Sequence, residues 1–260
     1  MFDFHMHSSV SYDSQPAAED MARAALKAGL REICFTDHCD YVSDKNAKQF
    51  LLDMEAYKAA YEPLELKGLT IRRGMEFGMT PWTADLYHQW EKAYPFDFII
   101  GSVHDVDGTD PYFENYWTGD AQKDFRRYLE QTLKCVQLHR GFDVLGHLTY
   151  VCKSQYNPTH GPVSFRENMD ITDAIMEELV RKDIGMEINT SGVDRAGDFL
   201  PSREHLQRFK ELGGKIVTLG SDAHDPSRVG QYANRALEIL KDVFGYVCTF
   251  QNRQPVFHKL

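Results

Sequence analysis

The stretch Phe2-Asp3-Phe4-His5-Met6-His7-Ser8-Ser9-Val10-Ser11-Tyr12-Asp13 sets the reading of the whole chain. A short β-type run, Phe2 to His5, ends in His5-Met6-His7, and Asp13 follows in the same loop. Residues two apart at a strand end face the same side, so one divalent ion can take both imidazoles. Working outward, the pattern recurs. The second β-type run ends in Thr36-Asp37-His38, and the third carries Gly74-Met75-Glu76-Phe77-Gly78. The fourth ends in Gly101-Ser102-Val103-His104-Asp105, the fifth in Gly146-His147 and the sixth in Asn189-Thr190-Ser191-Gly192. The seventh ends in Gly220-Ser221-Asp222-Ala223-His224, repeating the two-residue spacing. Six of the eleven histidines thus fall at strand ends, while His88, His139, His160, His205 and His258 lie in helices, loops or the tail.

The runs themselves are Phe2 to His5, Arg31 to Thr36, Thr70 to Phe77, Asp97 to Val103, Phe142 to Gly146, Gly185 to Ile188 and Lys215 to Leu219. Amphipathic stretches separate them. One opens at Pro16 and runs to Lys27, with Gly29 as its stop. Others cover Lys48 to Leu66, a stretch through Trp90, Ala121 to His139, a stretch through Arg181, Ser202 to Leu212, and a last one ending near Phe244. Tyr246 to Phe250 forms a β-like tail. Seven strand–helix units without a linker predict one α/β domain over residues 1–260, a parallel TIM-like barrel with one unit missing or distorted. A doubly wound open sheet is the alternative, but no G-x-G-x-x-G follows the first run.

Composition narrows the function. The 260 residues carry 29 Lys and Arg against 39 Asp and Glu, a formal charge of −10. That balance argues against broad nucleic-acid binding, which needs a basic surface, but not against an anionic small molecule, because bound metal reverses the local field. Five cysteines at irregular spacing form no disulfide framework, and Cys34 and Cys248 read as buried thiols in strands. The N-terminus has no signal-peptide pattern and no apolar run is long enough to span a bilayer. A soluble cytoplasmic protein, monomeric or a small homo-oligomer, is expected.

The rim residues define a chemistry. Histidine-dominated ligation with carboxylates and no clustered thiols suits zinc, iron or manganese at a catalytic site. It suits neither a structural zinc knuckle nor an oxygen-only Mg²⁺ or Ca²⁺ site. Glu76 can bridge two cations and lower their mutual repulsion. Taken singly, each element has a plainer reading: a strand-end His is ordinarily a hydrogen-bonded structural residue, and T-D-H or S-D-A-H reads as a turn or cap. Their convergence on one rim is what favours a site.

These residues resemble the polymerase and histidinol phosphatase (PHP) superfamily: H-x-H-S-x-x-S-x-D over His5 to Asp13, T-D-H, G-M-E-F-G, G-S-V-H, G-H and S-D-A-H. E-I-N-T-S-G (Glu187 to Gly192) and the terminal Gln251 to Val256 extend the likeness to the monofunctional histidinol-phosphate phosphatase branch. The resemblance implies a distorted (β/α)₇ barrel with two or three divalent metal ions. His5, His7, Glu76 and Asp222 would hold the first. Glu76, His104 and His147 would hold the second, and Asp13, His38 and His224 the third. Some members of the superfamily carry His where Asp13 stands.

The activity this implies is hydrolysis of a small phosphate monoester, L-histidinol phosphate, to L-histidinol and phosphate, in histidine biosynthesis. A water or hydroxide between the first two metals would attack phosphorus in line. Glu76, Asp222 and His224 are the catalytic candidates, the last two for handling protons or the leaving alkoxide. Arg195 is the first candidate for phosphate contact, with Lys153 and Arg228 as further ones. The loop Asp105 to Gly119, with Tyr112, Phe113, Tyr116 and Trp117, either covers the site and packs an imidazole ring or is an ordinary packed loop. Rival readings are a PHP-type nucleotide phosphatase or phosphodiesterase and a non-catalytic metal-binding scaffold. An amidohydrolase-type barrel is the third; that class commonly bridges its metals with Lys, where Glu76 stands here.

Overall fold

A computed structural model of the protein describes residues 1–41, 51–92 and 94–260. Strands and helices alternate in space as they do along the chain. In order, they are β1 (Phe2–Met6), α1 (Ala18–Lys27), β2 (Glu32–Phe35), β3 (His38–Asp40), α2 (Met54–Tyr61), β4 (Thr70–Gly78), α3 (Ala84–Trp90) and β5 (Phe98–Ser102). There follow α4 (Ala121–Leu138), β6 (Val144–Leu145), α5 (Met169–Arg181), β7 (Gly185–Asn189), α6 (Val193–Ala196), α7 (Arg203–Glu211), β8 (Val217–Gly220), α8 (Ala233–Val243), β9 (Tyr246–Gln251) and β10 (Gln254–Lys259).

The sheet runs β1-β2-β4-β5-β6-β7-β8, every pairing parallel. β3 continues the line of β2 against β4 in the same register, with Thr36 and Asp37 interrupting the ladder between them. The edges meet beyond β8: Met6 pairs with Ala223, Asp222 N–H donates to the His5 carbonyl (2.7 Å), and His7 N–H donates to the Ala223 carbonyl (2.9 Å). That closure makes a seven-stranded barrel and excludes the open doubly wound sheet. It also brings the first and last rim motifs side by side.

Helix boundaries follow local chemistry. α1 buries Ala18, Met21, Ala22 and Ala25, the spacing of one helical face, and Gly29 ends it at φ +78°. It begins at Ala18 rather than Pro16, whose carbonyl accepts from Ser9 N–H (2.7 Å) instead of starting the helix. α2 is shorter than the Lys48–Leu66 stretch. Asp53 caps it by accepting from Glu55 and Ala56 N–H (3.0 and 3.1 Å), and Pro63 forces it to end; residues 48–50 lie outside the described residues.

The barrel interior is divided along its axis. Its lower half holds Phe4, Cys34, Phe98, Ile100, Val144 and Ile216, joined by Cys248 and Phe250 of β9. The C-terminal hairpin therefore plugs the lower mouth, with the Phe98 and Phe250 rings 4.8 Å apart. A second, larger apolar layer lies between sheet and helices, including Met75, Phe77, Leu129, Ile175 and Leu206. The upper half of the interior is polar. Among the described residues no helix is long and apolar enough to cross a membrane, and all five cysteines are free and buried.

Candidate metal centre

Each rim motif delivers its side chain into the upper interior. His5, His7 and Glu76 are fully buried, and Asp222 is 8% exposed. His5 Nε2 lies 3.3 Å from Glu76 Oε2 and 3.7 Å from Asp222 Oδ1. His7 Nε2 lies 3.6 and 3.4 Å from the same two oxygens. Ligands at 2.0–2.1 Å around tetrahedral zinc are separated by ~3.3–3.4 Å, so these four imidazole–carboxylate separations are of the size such a cage has. Yet among the described residues His5 Nε2, His7 Nε2 and Glu76 Oε2 have no hydrogen-bond partner. Buried polar atoms are rarely left so, and a cation among them would satisfy all of them.

Glu76 faces two ways. Its Oε1 lies 3.4 Å from His104 Nε2 and 3.0 Å from His147 Nε2, and accepts from the Ser102 hydroxyl at 2.6 Å. Its Oε2 faces His5, His7 and also His38 Nδ1, at 2.9 Å. The carboxylate thus stands between two groups, as a bridging ligand must. A third group forms where Asp13 Oδ2 lies 3.4 Å from His38 Nε2 and 3.2 Å from His224 Nε2. The His7 ring stacks between those of His38 and His224, with centroids 4.3 and 4.0 Å away. Asp222 occupies the left-handed region at φ +55°, a conformation Asp tolerates better than β-branched residues.

Hydrogen bonds on the far side of the rings decide which nitrogen faces inward. Ser11 donates to Asp37 Oδ1 (2.8 Å), so its oxygen accepts from His7 Nδ1–H (3.0 Å). Asp37 is fixed in turn by Ser8 N–H (2.9 Å) and the Tyr61 hydroxyl. His224 Nδ1–H can only donate to the Asp222 carbonyl (3.0 Å). Asp40 lies 3.4 Å from His104 Nδ1. In each case Nε2 is left with its lone pair toward the centre.

The electrostatics agree with a cation-seeking site. Burial would raise the Glu76 carboxyl, but His5, His104 and His38 hold it well below the usual range. Burial likewise opposes ionisation of Asp222, and Lys153 and then His5 outweigh it. Burial pulls the His5 imidazole down, yet Glu187, Glu76 and Asp222 carry it well above its ordinary value. His7 goes the other way, lowered by burial and by His224 and His38. The donor set of imidazole and carboxylate therefore fits divalent zinc, iron or manganese.

Above the centre opens a cavity of about 540 Å³, lined by His38, His104, His147, Asp222 and His224 and by Lys153, Tyr12, Asp110, Tyr112 and Phe113. Lys153 Nζ contacts Asp222 Oδ2 at 2.7 Å. Of the three cations expected from sequence, it is the one lining the cavity. Arg195 is exposed and donates to the Tyr112 hydroxyl (2.8 Å), at the cavity's edge. Arg228 pairs with Asp194 of α6 and is not brought to the cavity; the short 3₁₀ turn Pro226–Arg228 faces it toward α6. The aromatic loop splits in two. Tyr112 and Phe113 line the cavity, whereas Tyr116 donates to the Asp124 carbonyl (2.6 Å) and Trp117 to Pro111 and Ser154 (both 3.1 Å), anchoring the loop.

Sequence reasoning missed Asp40, Asp110, Glu187 and Tyr150, which lines the same cavity and donates its hydroxyl to Asp110 Oδ1 (3.3 Å). Asp40 lies two residues beyond His38 on β3, a spacing that places both on one face. The Glu187 signal is a carboxylate inside an otherwise buried strand.

A closed parallel barrel with this rim defines a metal-centred α/β barrel. The PHP domain signature matches residues 3–191, and the chain belongs to the PHP domain family. It is 32% identical over 259 residues to a histidinol-phosphatase of Lactococcus lactis subsp. lactis (strain IL1403), covering 95% of this chain and 93% of that one. It is 28% identical over 259 residues to a probable histidinol-phosphatase of Clostridium acetobutylicum, covering 99% and 96%. Its structure is similar, with a TM-score of 0.84 and 28% identity over 98% of both chains, to a Lactococcus lactis histidinol phosphate phosphatase complexed with zinc, L-histidinol and phosphate.

Proposed function

We infer that this protein is a metal-dependent phosphomonoesterase that hydrolyses L-histidinol phosphate to L-histidinol and phosphate. The observation that carries this is the cluster of three abutting ligand groups around Glu76, opening into a cavity that Lys153 enters. The likeness to the L. lactis enzyme supports the substrate. His5, His7, Glu76 and Asp222 would hold one cation, Glu76, His104 and His147 a second, and Asp13, His38 and His224 a third. We read residues 1–260 as one domain acting in the cytoplasm.

Bound cations would supply a water with a pKa near neutrality and neutralise phosphoryl oxygens. The chain's own residues do the rest. Glu76 holds the first two groups at a fixed spacing, because each of its oxygens faces a different one. Lys153 presents its ammonium beside Asp222 and within the cavity, where it can pair with a phosphoryl oxygen. Arg195, steered by Tyr112, reaches the same mouth. His224 Nε2 and Asp222 Oδ1 stand at the seam between the first and third groups, where both would be engaged as ligands rather than as proton donors. Tyr12, Tyr112 and Phe113 offer ring faces, and Asp110 a carboxylate, to a substrate that carries an imidazole and an amine.

The test is steady-state hydrolysis by metal-analysed protein, comparing L-histidinol phosphate with p-nitrophenyl phosphate, nucleoside monophosphates and a diester. The expected result is a kcat/KM for L-histidinol phosphate at least ~100-fold above the rest, about 2.7 kcal/mol of discrimination. A flat profile would remove the substrate assignment and keep the phosphatase. No turnover with metal bound would leave a scaffold.

A further inference from the structure

We infer that Glu187 is a positioning residue for the metal centre, holding His5 and His147 in register from behind so that two of the ligand groups share one support. The inference rests on the reading of His5 and His147 as ligands.

Glu187 stands in the middle of β7 and is 1% exposed. Among the described residues it touches neither the cavity nor any of the inward-facing ligand atoms, and it has no arginine or lysine partner. A buried carboxylate in such a place is costly unless several donors address it. Its Oε1 accepts from His5 Nδ1–H at 2.7 Å. Its Oε2 accepts from the backbone N–H of His147 at 2.8 Å and from Asn189 Nδ2 at 3.1 Å. One side chain thereby addresses the first strand and the end of the fifth barrel strand, 182 and 40 positions away in sequence.

Two consequences follow for the centre. A carboxylate cannot donate, so His5 must carry its proton on Nδ1, and Nε2 is left as the ligand atom facing Glu76 and Asp222. The negative charge also raises the basicity of that Nε2. The alternation of β7 continues the network. Glu187, Asn189 and Ser191 face inward in turn; Asn189 Oδ1 accepts from Ser191 N–H (2.9 Å), and the Ser191 hydroxyl lies 3.1 Å from Asp222 Oδ2. This gives the Glu187-Ile188-Asn189-Thr190-Ser191 stretch a physical meaning: three polar side chains backing ligands on three other strands. Gly220 leaves the room. A Cβ there would lie 2.1 Å from Glu187 Oε1 and 2.3 Å from His5 Cβ.

The test measures zinc binding directly, on the full-length chain stripped of metal and refilled against a chromophoric chelator, with total metal by mass spectrometry. Glu187→Gln places an amide N–H₂ against donors it cannot satisfy and is expected to weaken zinc binding roughly 10- to 100-fold. kcat for L-histidinol phosphate at limiting zinc should fall with it, KM changing little, and excess zinc should restore much of the loss. Glu187→Asp keeps the charge and should retain zinc better than Glu187→Gln; it also decides the matter if Glu187→Gln does not fold. His5→Ala is the reference. If wild type binds zinc and His5→Ala does not, while Glu187→Gln and Glu187→Asp bind as wild type does, the positioning role is overturned. If His5→Ala binds zinc as wild type does, the ligand reading itself fails.

Discussion

The two ends of this barrel are built from the same strands and opposite chemistry. At the lower mouth every named charge is answered. Asp97 accepts from Arg73 and Asn252 N–H (3.2 and 3.0 Å), Asp143 accepts from Ile99 N–H and Arg253 Nε (2.7 and 2.6 Å), and Arg253 also reaches the Gly141 carbonyl. Phe250 and Cys248 seal the space above them. At the upper rim the far sides of the His5, His7, His104 and His224 rings are tied down, while among the described residues the near side is left open at His5 Nε2, His7 Nε2 and Glu76 Oε2. The lesson is that burial alone does not mark a functional end. What marks it is burial with hydrogen bonding deliberately incomplete toward one point.

The sharpest way to break that contrast is at the bridge. Glu76→Gln removes the charge that both ligand groups share, and kcat/KM for L-histidinol phosphate should fall by ~10³-fold or more, several kcal/mol of lost transition-state stabilisation. Bound metal should fall with it. A loss under ~10-fold with full metal content would mean the open atoms at the rim are not reserved for cations.

The plug offers the reverse experiment. Phe250→Ala should cost ~3–5 kcal/mol of unfolding free energy, read by urea denaturation, with kcat/KM of the folded enzyme unchanged within ~2-fold. A large activity loss at full stability would show that the two ends are coupled.

The smallest effect is a pH effect at the lower mouth. Burial raises the Asp143 carboxyl to about 6, with Arg253 opposing it. The unfolded group titrates near ~3.9, so the folded protein holds this proton more tightly. Its ionisation therefore costs stability: the cost is absent below about pH 4, grows as pH rises, and is complete above about pH 6. Asp143→Asn should remove that part of the slope, about 3 kcal/mol. Urea titrations of metal-free protein at several pH values would show it, and an unchanged slope would place the Asp143 pKa near the unfolded value.

Much of the upper rim was legible because chemistry in a parallel barrel gathers at strand ends, and residue type with two-residue spacing carries it. His5, His7, Asp13, His38, Glu76, His104, His147, Asp222 and His224 all meet. Glu187 and Asp40 were not legible, because their role depends on which imidazole nitrogen they face across the barrel. Arg195 and Arg228 illustrate another limit: a cation after a strand is easy to find, but the loop's direction is not written in a local pattern. The same holds for the tail. Tyr246 to Phe250 reads as a strand, but only closure shows that Cys248 and Phe250 join the cluster of Phe4, Cys34 and Phe98 beneath the barrel.

The seam between β1 and the Asp222-Ala223 segment has a consequence for the life of the nascent chain. His5 and His7 are synthesised first, but Asp222, which completes their cage, arrives about 215 residues later, roughly 10–40 s at ordinary elongation rates. Throughout that interval the first ligand group lacks its last carboxylate. Completion of the first group is thereby timed to near the end of synthesis, because a translation product that stops short of residue 222 lacks the carboxylate that closes it.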